Sequence, residues 1–149
     1  MSQGVWVPAE VKEGMDWVVI GMDVSGSTSQ RESDAFIANF TKIRNSIPIK
    51  RMSIVPFDTR VILDNVVELK VGGKYKHSFV WGGGTDVQDL FDWIHKSGKT
   101  APDCVIIFTD MEFSYDFDDH GIKPLWASTA PIKNLGRKPK CGRVIEIGL

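Results

Sequence analysis

A chain of 149 residues, 42% hydrophobic and 25% charged, is long enough to bury one core without disulfides or structural metals, and its balance fits neither disorder nor a membrane protein. A net charge of −1 and a pI of about 6.3 give no global positive field, which argues against a nucleic-acid-binding protein. No window approaches the roughly 20 apolar residues of a membrane helix, and Met1 to Glu10 has no leader pattern, so the expectation is a single cytoplasmic domain over residues 1–149.

Asp16 to Asp23 (DWVVIGMD) is a short β-branched apolar run, the pattern of a strand buried on both faces of a parallel sheet. From Thr28 to Ile47, the residues Phe36, Phe40, Ile43 and Ile47 recur at helical spacing, and Pro48 ends the pattern. Met52 to Phe57 and Val61 to Leu69 predict two strands joined at Asp58-Thr59-Arg60 as an antiparallel hairpin, with Pro56 suited to an edge or bulged position. A glycine-rich loop, Val71 to Thr85, leads into a helix whose apolar face is Val87, Leu90, Phe91 and Ile94. Asp103 to Asp110, Pro124 to Ser128 and Arg143 to Leu149 supply three further strands, while Ile132 to Gly142 reads as a loop or a short last helix. The alternation argues for an open α/β sheet, mostly parallel with one antiparallel edge strand and helices on both faces.

In such sheets ligands bind at the carboxyl ends of the strands, beside a topological switch point. Three segments should meet there: Asp23-Val24-Ser25-Gly26-Ser27, Gly82-Gly83-Gly84-Thr85-Asp86 and Thr109-Asp110. They bring two carboxylates, Asp23 and Asp110, and three hydroxyls, Ser25, Ser27 and Thr85. An all-oxygen set suits a hard cation, Mg²⁺ first with Mn²⁺ or Ca²⁺ as alternatives, and disfavours zinc. So few charged ligands leave an open position that a carboxylate from another molecule can fill. Asp86 and Glu112 stand close enough in sequence to orient the ligands, although helix capping explains Asp86 nearly as well.

The remaining features are weaker. Cys104 and Cys141 have no metal-type spacing and are expected to be reduced. His77, His95 and His120 lie in different elements, so no zinc site is expected among them. Asp116, Asp118 and Asp119 form an acidic loop read as a solvated charge run. Trp6, Trp17, Trp81, Trp93 and Trp126 are core or core-edge candidates, Trp81 being also a candidate partner contact. Only Gly136 to Arg143 is locally basic.

Asp23-Val24-Ser25-Gly26-Ser27, Thr85 in its Gly-Gly-Gly-Thr-Asp loop and Asp110 after Thr109 resemble the metal-ion-dependent adhesion site (MIDAS) of von Willebrand factor A (VWA) domains. The chain is most similar to compact bacterial and phage VWA-like domains of unknown function, through Phe57-Asp58, the glycine loop and the ending Val144-Ile145-Glu146-Ile147. The resemblance implies an open Rossmann-like fold, with Ser25, Ser27 and Thr85 as direct ligands and Asp23 and Asp110 as direct or water-mediated ones. It implies protein binding rather than catalysis: a partner with an exposed Asp or Glu, an AAA+ ATPase-type protein among the candidates, and neither nucleic acid nor membrane. Met111 departs from the glycine that many relatives carry after Thr-Asp, which bears on the local turn; no HExxH occurs, so no peptidase activity is carried over. Two rival readings are a Mg²⁺-dependent phosphotransferase of the haloacid-dehalogenase kind, using Asp23, Thr109 and Asp118-Asp119, and a metal-free scaffold domain. The first is disfavoured because Ser25 stands where that chemistry needs a second acid.

Overall fold

The computed structural model describes residues 14–24, 38, 49–70 and 85–147. Ser25, Ser27, the helical pattern over 28–47, the glycine run with His77 and Trp81, and Trp6 lie outside the described residues. The described elements are β1 (Trp17–Asp23), β2 (Arg51–Phe57), β3 (Val67–Lys70), α1 (Gln88–Ser97), β4 (Cys104–Thr109), β5 (Leu125–Ser128) and β6 (Arg143–Glu146). They form one six-stranded sheet in the order β3-β2-β1-β4-β5-β6. All neighbours are parallel except β3, which runs antiparallel to β2 at the edge. The chain leaves β1 toward β2 and β3, then returns on the other side as β4, so the switch point falls between β1 and β4.

The strands read as continuous apolar runs because both faces are covered. Val18, Ile20 and Met22 pack with Met52, Ile54, Ile106, Phe108 and Leu125 on one face. Val19, Val55, Val105, Ile107 and Trp126 pack on the other, against Leu90, Phe91 and Ile94 of α1. Gly21 allows this helix to sit low on β1: a Cβ there would lie 2.9 Å from Leu90 Cδ2. Of the helices expected on both faces, α1 is the one described; the other predicted helix falls outside the described residues.

Two local expectations are corrected. The antiparallel strand begins at Val67 rather than Val61, pairing Val67 with Ile54 and Lys70 with Arg51. Val61 contributes only an isolated bridge to Phe57, after which a 3-10 turn, Leu63–Asn65, interrupts the run. Asp64 and Asn65 favour such a turn, and Ile62 N–H donates to the Pro56 carbonyl at 3.0 Å instead of continuing a ladder. Pro56 therefore stands in an interior strand, beyond the last β2–β3 pair, and not at an edge. The stretch after β5 holds a single 3-10 turn, Ile132–Asn134, and then irregular chain. Its Leu135 and Cys141 pack on the α1 face, where Trp126 Nε1–H donates to the Cys141 carbonyl at 2.9 Å. No described helix is long and apolar enough to cross a membrane.

Candidate functional site

Register builds the site. Pairing of Val18 with Cys104 through Met22 with Phe108 brings the ends of β1 and β4 level, so Asp23 stands beside Thr109. Strand alternation places both on the α1 face, following Val19 and Gly21 in β1 and Val105 and Ile107 in β4. Thr109 Oγ1–H donates to Asp23 Oδ2 at 2.7 Å, and both residues are fully buried. Thr85, on the approach to α1, donates from its Oγ1–H to Asp23 Oδ1 at a longer 3.4 Å. The loop carrying Thr85 is tied to the end of β2, since Asp86 N–H donates to the Asp58 carbonyl at 2.8 Å. Asp110 follows β4 directly and is half-buried; its Oδ1 accepts the Glu112 N–H at 3.0 Å.

Asp23 and Thr85 are thus in contact at the switch point, with Asp110 one residue beyond Thr109. Ser25 and Ser27 lie outside the described residues. Thr109, which sequence reasoning grouped with Asp23 only in the rival phosphotransferase reading and left out of the metal-site set, is a direct partner of Asp23. Its signal was its place as the last residue of a buried strand, but the neighbour it meets depends on register. The same hydroxyl accepts the Met111 N–H at 3.1 Å, so it links the buried carboxylate to the turn after β4.

Met111 has φ +69°, the left-handed region where glycine is favoured. This is the physical content of the departure at position 111: methionine adopts the backbone that glycine would take, at a cost of about 1–2 kcal/mol. Its side chain, 3% exposed in the α1-face core, offsets that strain. Asp86 accepts the Gln88 N–H at 2.9 Å, a local turn that leads into α1, whose N-cap is Val87. Glu112 reaches Asp110 through its backbone N–H, and its residue is exposed.

His95 and His120, expected to be isolated, stack with ring centroids 4.3 Å apart and planes 8° apart. His120 Nε2 lies 2.7 Å from Asp92 Oδ1, and this bond, with one from Gln88, holds the Asp92 carboxyl below its ordinary range. Among the described residues no three His, Cys, Asp or Glu side chains group to hold a metal ion. The acidic loop is turn-forming: Asp118 accepts the His120 N–H and Asp119 the Gly121 N–H, where both backbones have positive φ. Asp119 lines a hollow of about 670 Å³ with Cys104, Leu125 and Arg143, the first residues of β4, β5 and β6. That is the amino end of the sheet, so Asp119 is separated from Asp23 by the length of the strands. Cys104 and Cys141 are buried and form no disulfide; burial first, then the charge of Asp119, pushes the Cys141 thiol up to about 11, which leaves it a poor nucleophile.

The oxygen-only chemistry of Asp23, Thr85 and Asp110 fits a hard divalent cation. No curated protein and no solved structure matches the chain. A family described as VWA-like domain (DUF2201) matches it over residues 18–148, from β1 to just past β6. The chain therefore belongs to the VWA-like domain family.

Proposed function

We propose that this chain is a divalent-cation-dependent protein-binding module of MIDAS type, acting in the cytoplasm. Asp23, Ser25, Ser27, Thr85 and Asp110 would hold Mg²⁺, with Mn²⁺ or Ca²⁺ as substitutes. The observation that carries the reading is the fully buried Asp23 carboxylate at the switch point, flanked by the Thr109 and Thr85 hydroxyls with Asp110 close in chain. A bound Mg²⁺ supplies a positive centre whose remaining position takes a carboxylate from outside. The protein's own residues do the rest. Thr109 fixes the Asp23 side chain, the Asp86–Asp58 backbone bond fixes the approach of Thr85, and the Glu112 N–H orients Asp110. The partner is a protein with an exposed Asp or Glu, and family resemblance makes an AAA+ ATPase-type partner the first to try. No catalytic role is proposed, because Ser25 stands where a phosphotransferase of the haloacid-dehalogenase kind needs a second acid.

The test is thermal unfolding of metal-stripped protein titrated with Mg²⁺ or Mn²⁺. An ion that binds only the folded state stabilises it by about 2.7 kcal/mol at a hundred times its Kd. For a domain of this size that corresponds to a rise on the order of 5–10 °C. Asp23→Ala and the double variant Ser25→Ala/Ser27→Ala should lose the rise. Absence of any shift in the unmutated protein up to millimolar metal would overturn the metal reading.

A further inference from the structure

A hollow of about 530 Å³ opens next along the chain from Asp110, between the loop after β4 (Met111, Glu112, Tyr115) and the segment after β5 (Leu135, Arg137). Arg137 is exposed, and its guanidinium carbon lies 5.3 Å from the centroid of the Tyr115 ring. The ring is fixed in turn, because Tyr115 Oη–H donates to the Met111 carbonyl at 3.0 Å. Among the described residues Arg137 forms no salt bridge.

A guanidinium stacked on an anchored aromatic ring has already lost much of its rotamer freedom, and its planar fork matches a carboxylate. Glu112 is the other charged residue of the lining. Beyond the hollow, Lys138 continues the basic stretch and is exposed, extending the attraction for acidic chain. We propose that this hollow is a recognition pocket for an aspartate or glutamate side chain of an acidic partner segment that docks across the carboxyl ends of the strands, with Arg137 as its counter-charge. The inference rests on the proposed function only in taking that end of the sheet as the docking face.

The probe is a random dodecapeptide display library panned on the full chain in Mg²⁺ and, in parallel, in EDTA. Selected peptides are then measured against the unmutated chain, Arg137→Ala, Arg137→Lys and Asp23→Ala; Arg137 is a surface residue, and its variants are expected to fold. Selected peptides should contain an acidic residue whose change to its amide weakens binding roughly tenfold. That change should cost nothing further in Arg137→Ala, and Arg137→Lys should recover part of the affinity. Equal binding by Arg137→Ala and the unmutated chain overturns the pocket, and retained Mg²⁺ dependence would then leave the metal reading standing. Binding that depends on Arg137 but persists in EDTA and in Asp23→Ala supports the pocket and removes the metal reading. Failure to select any acidic peptide overturns the pocket.

Discussion

A carboxylate taken fully out of water is costly unless its oxygens find donors, and at Asp23 the Thr109 hydroxyl is one of them, at 2.7 Å. Thr109→Val keeps the shape of the side chain and removes that donor, together with the acceptor for the Met111 N–H. Urea unfolding of the metal-free protein should show a loss of about 2–3 kcal/mol, the range for a buried hydrogen bond to a charged group. A loss below about 0.5 kcal/mol would mean that Thr109 contributes little to satisfying Asp23. Asp23, Thr85 and Asp110 were legible as candidates because an acidic or hydroxyl residue that closes an apolar run, or follows a glycine run, must sit at a strand end or loop tip. The Thr109 bond to Asp23 was not, because a threonine inside an apolar run has the ordinary look of a β-branched strand residue.

At the scale of elements, α1 joins the parts of the carboxyl-end face. Its apolar residues Leu90, Phe91 and Ile94 seat it on the sheet, Asp86 accepts the N–H of its first residue, Gln88, and Asp89 Oδ2 accepts the Val61 N–H at 2.6 Å from the loop after β2. Gln88 and Asp92 face the loop at 116–122: Asp118 N–H donates to Gln88 Oε1 at 2.8 Å, and Asp92 accepts from the His120 ring. The Asp92 carboxyl is held below its ordinary value mainly by His120, so the folded state binds a proton there less readily than the unfolded chain. Its contribution to stability is complete above the unfolded value near 3.8 and is lost as pH falls through the lower, folded one. Asp92→Asn should therefore lower stability at neutral pH and flatten the dependence below about pH 4, measured by urea unfolding across pH 2–7. With the side chain 36% exposed, the effect should stay under about 1 kcal/mol. An unchanged profile would show that the His120 bond does not persist in solution. The apolar face of α1 was readable from its spacing, whereas the Asp92–His120 contact joins residues that no local pattern links.

For the whole molecule, stability should be graded across the sheet. β1 and β4 are interior strands buried on both faces, while β6 is an edge strand with exposed ends and β3 is a short antiparallel edge. Amide hydrogen exchange should be slowest in β1 and β4 and fastest, among the strands, in β3 and β6. Exchange of β1 amides as fast as those of β6 would contradict a core centred on the switch point. Apolar periodicity is a property of neighbouring residues, and it was enough to establish the strand and helix alternation, the mostly parallel sheet and the end of the sheet at which Asp23 and Asp110 gather. Register, by contrast, is a property of residues far apart in the chain. It set Thr109 against Asp23, and the packing that follows from it stacked His95 on His120 and laid Arg137 over Tyr115. Each of these depends on which contacts close once the strands are packed, and no local pattern carries that information.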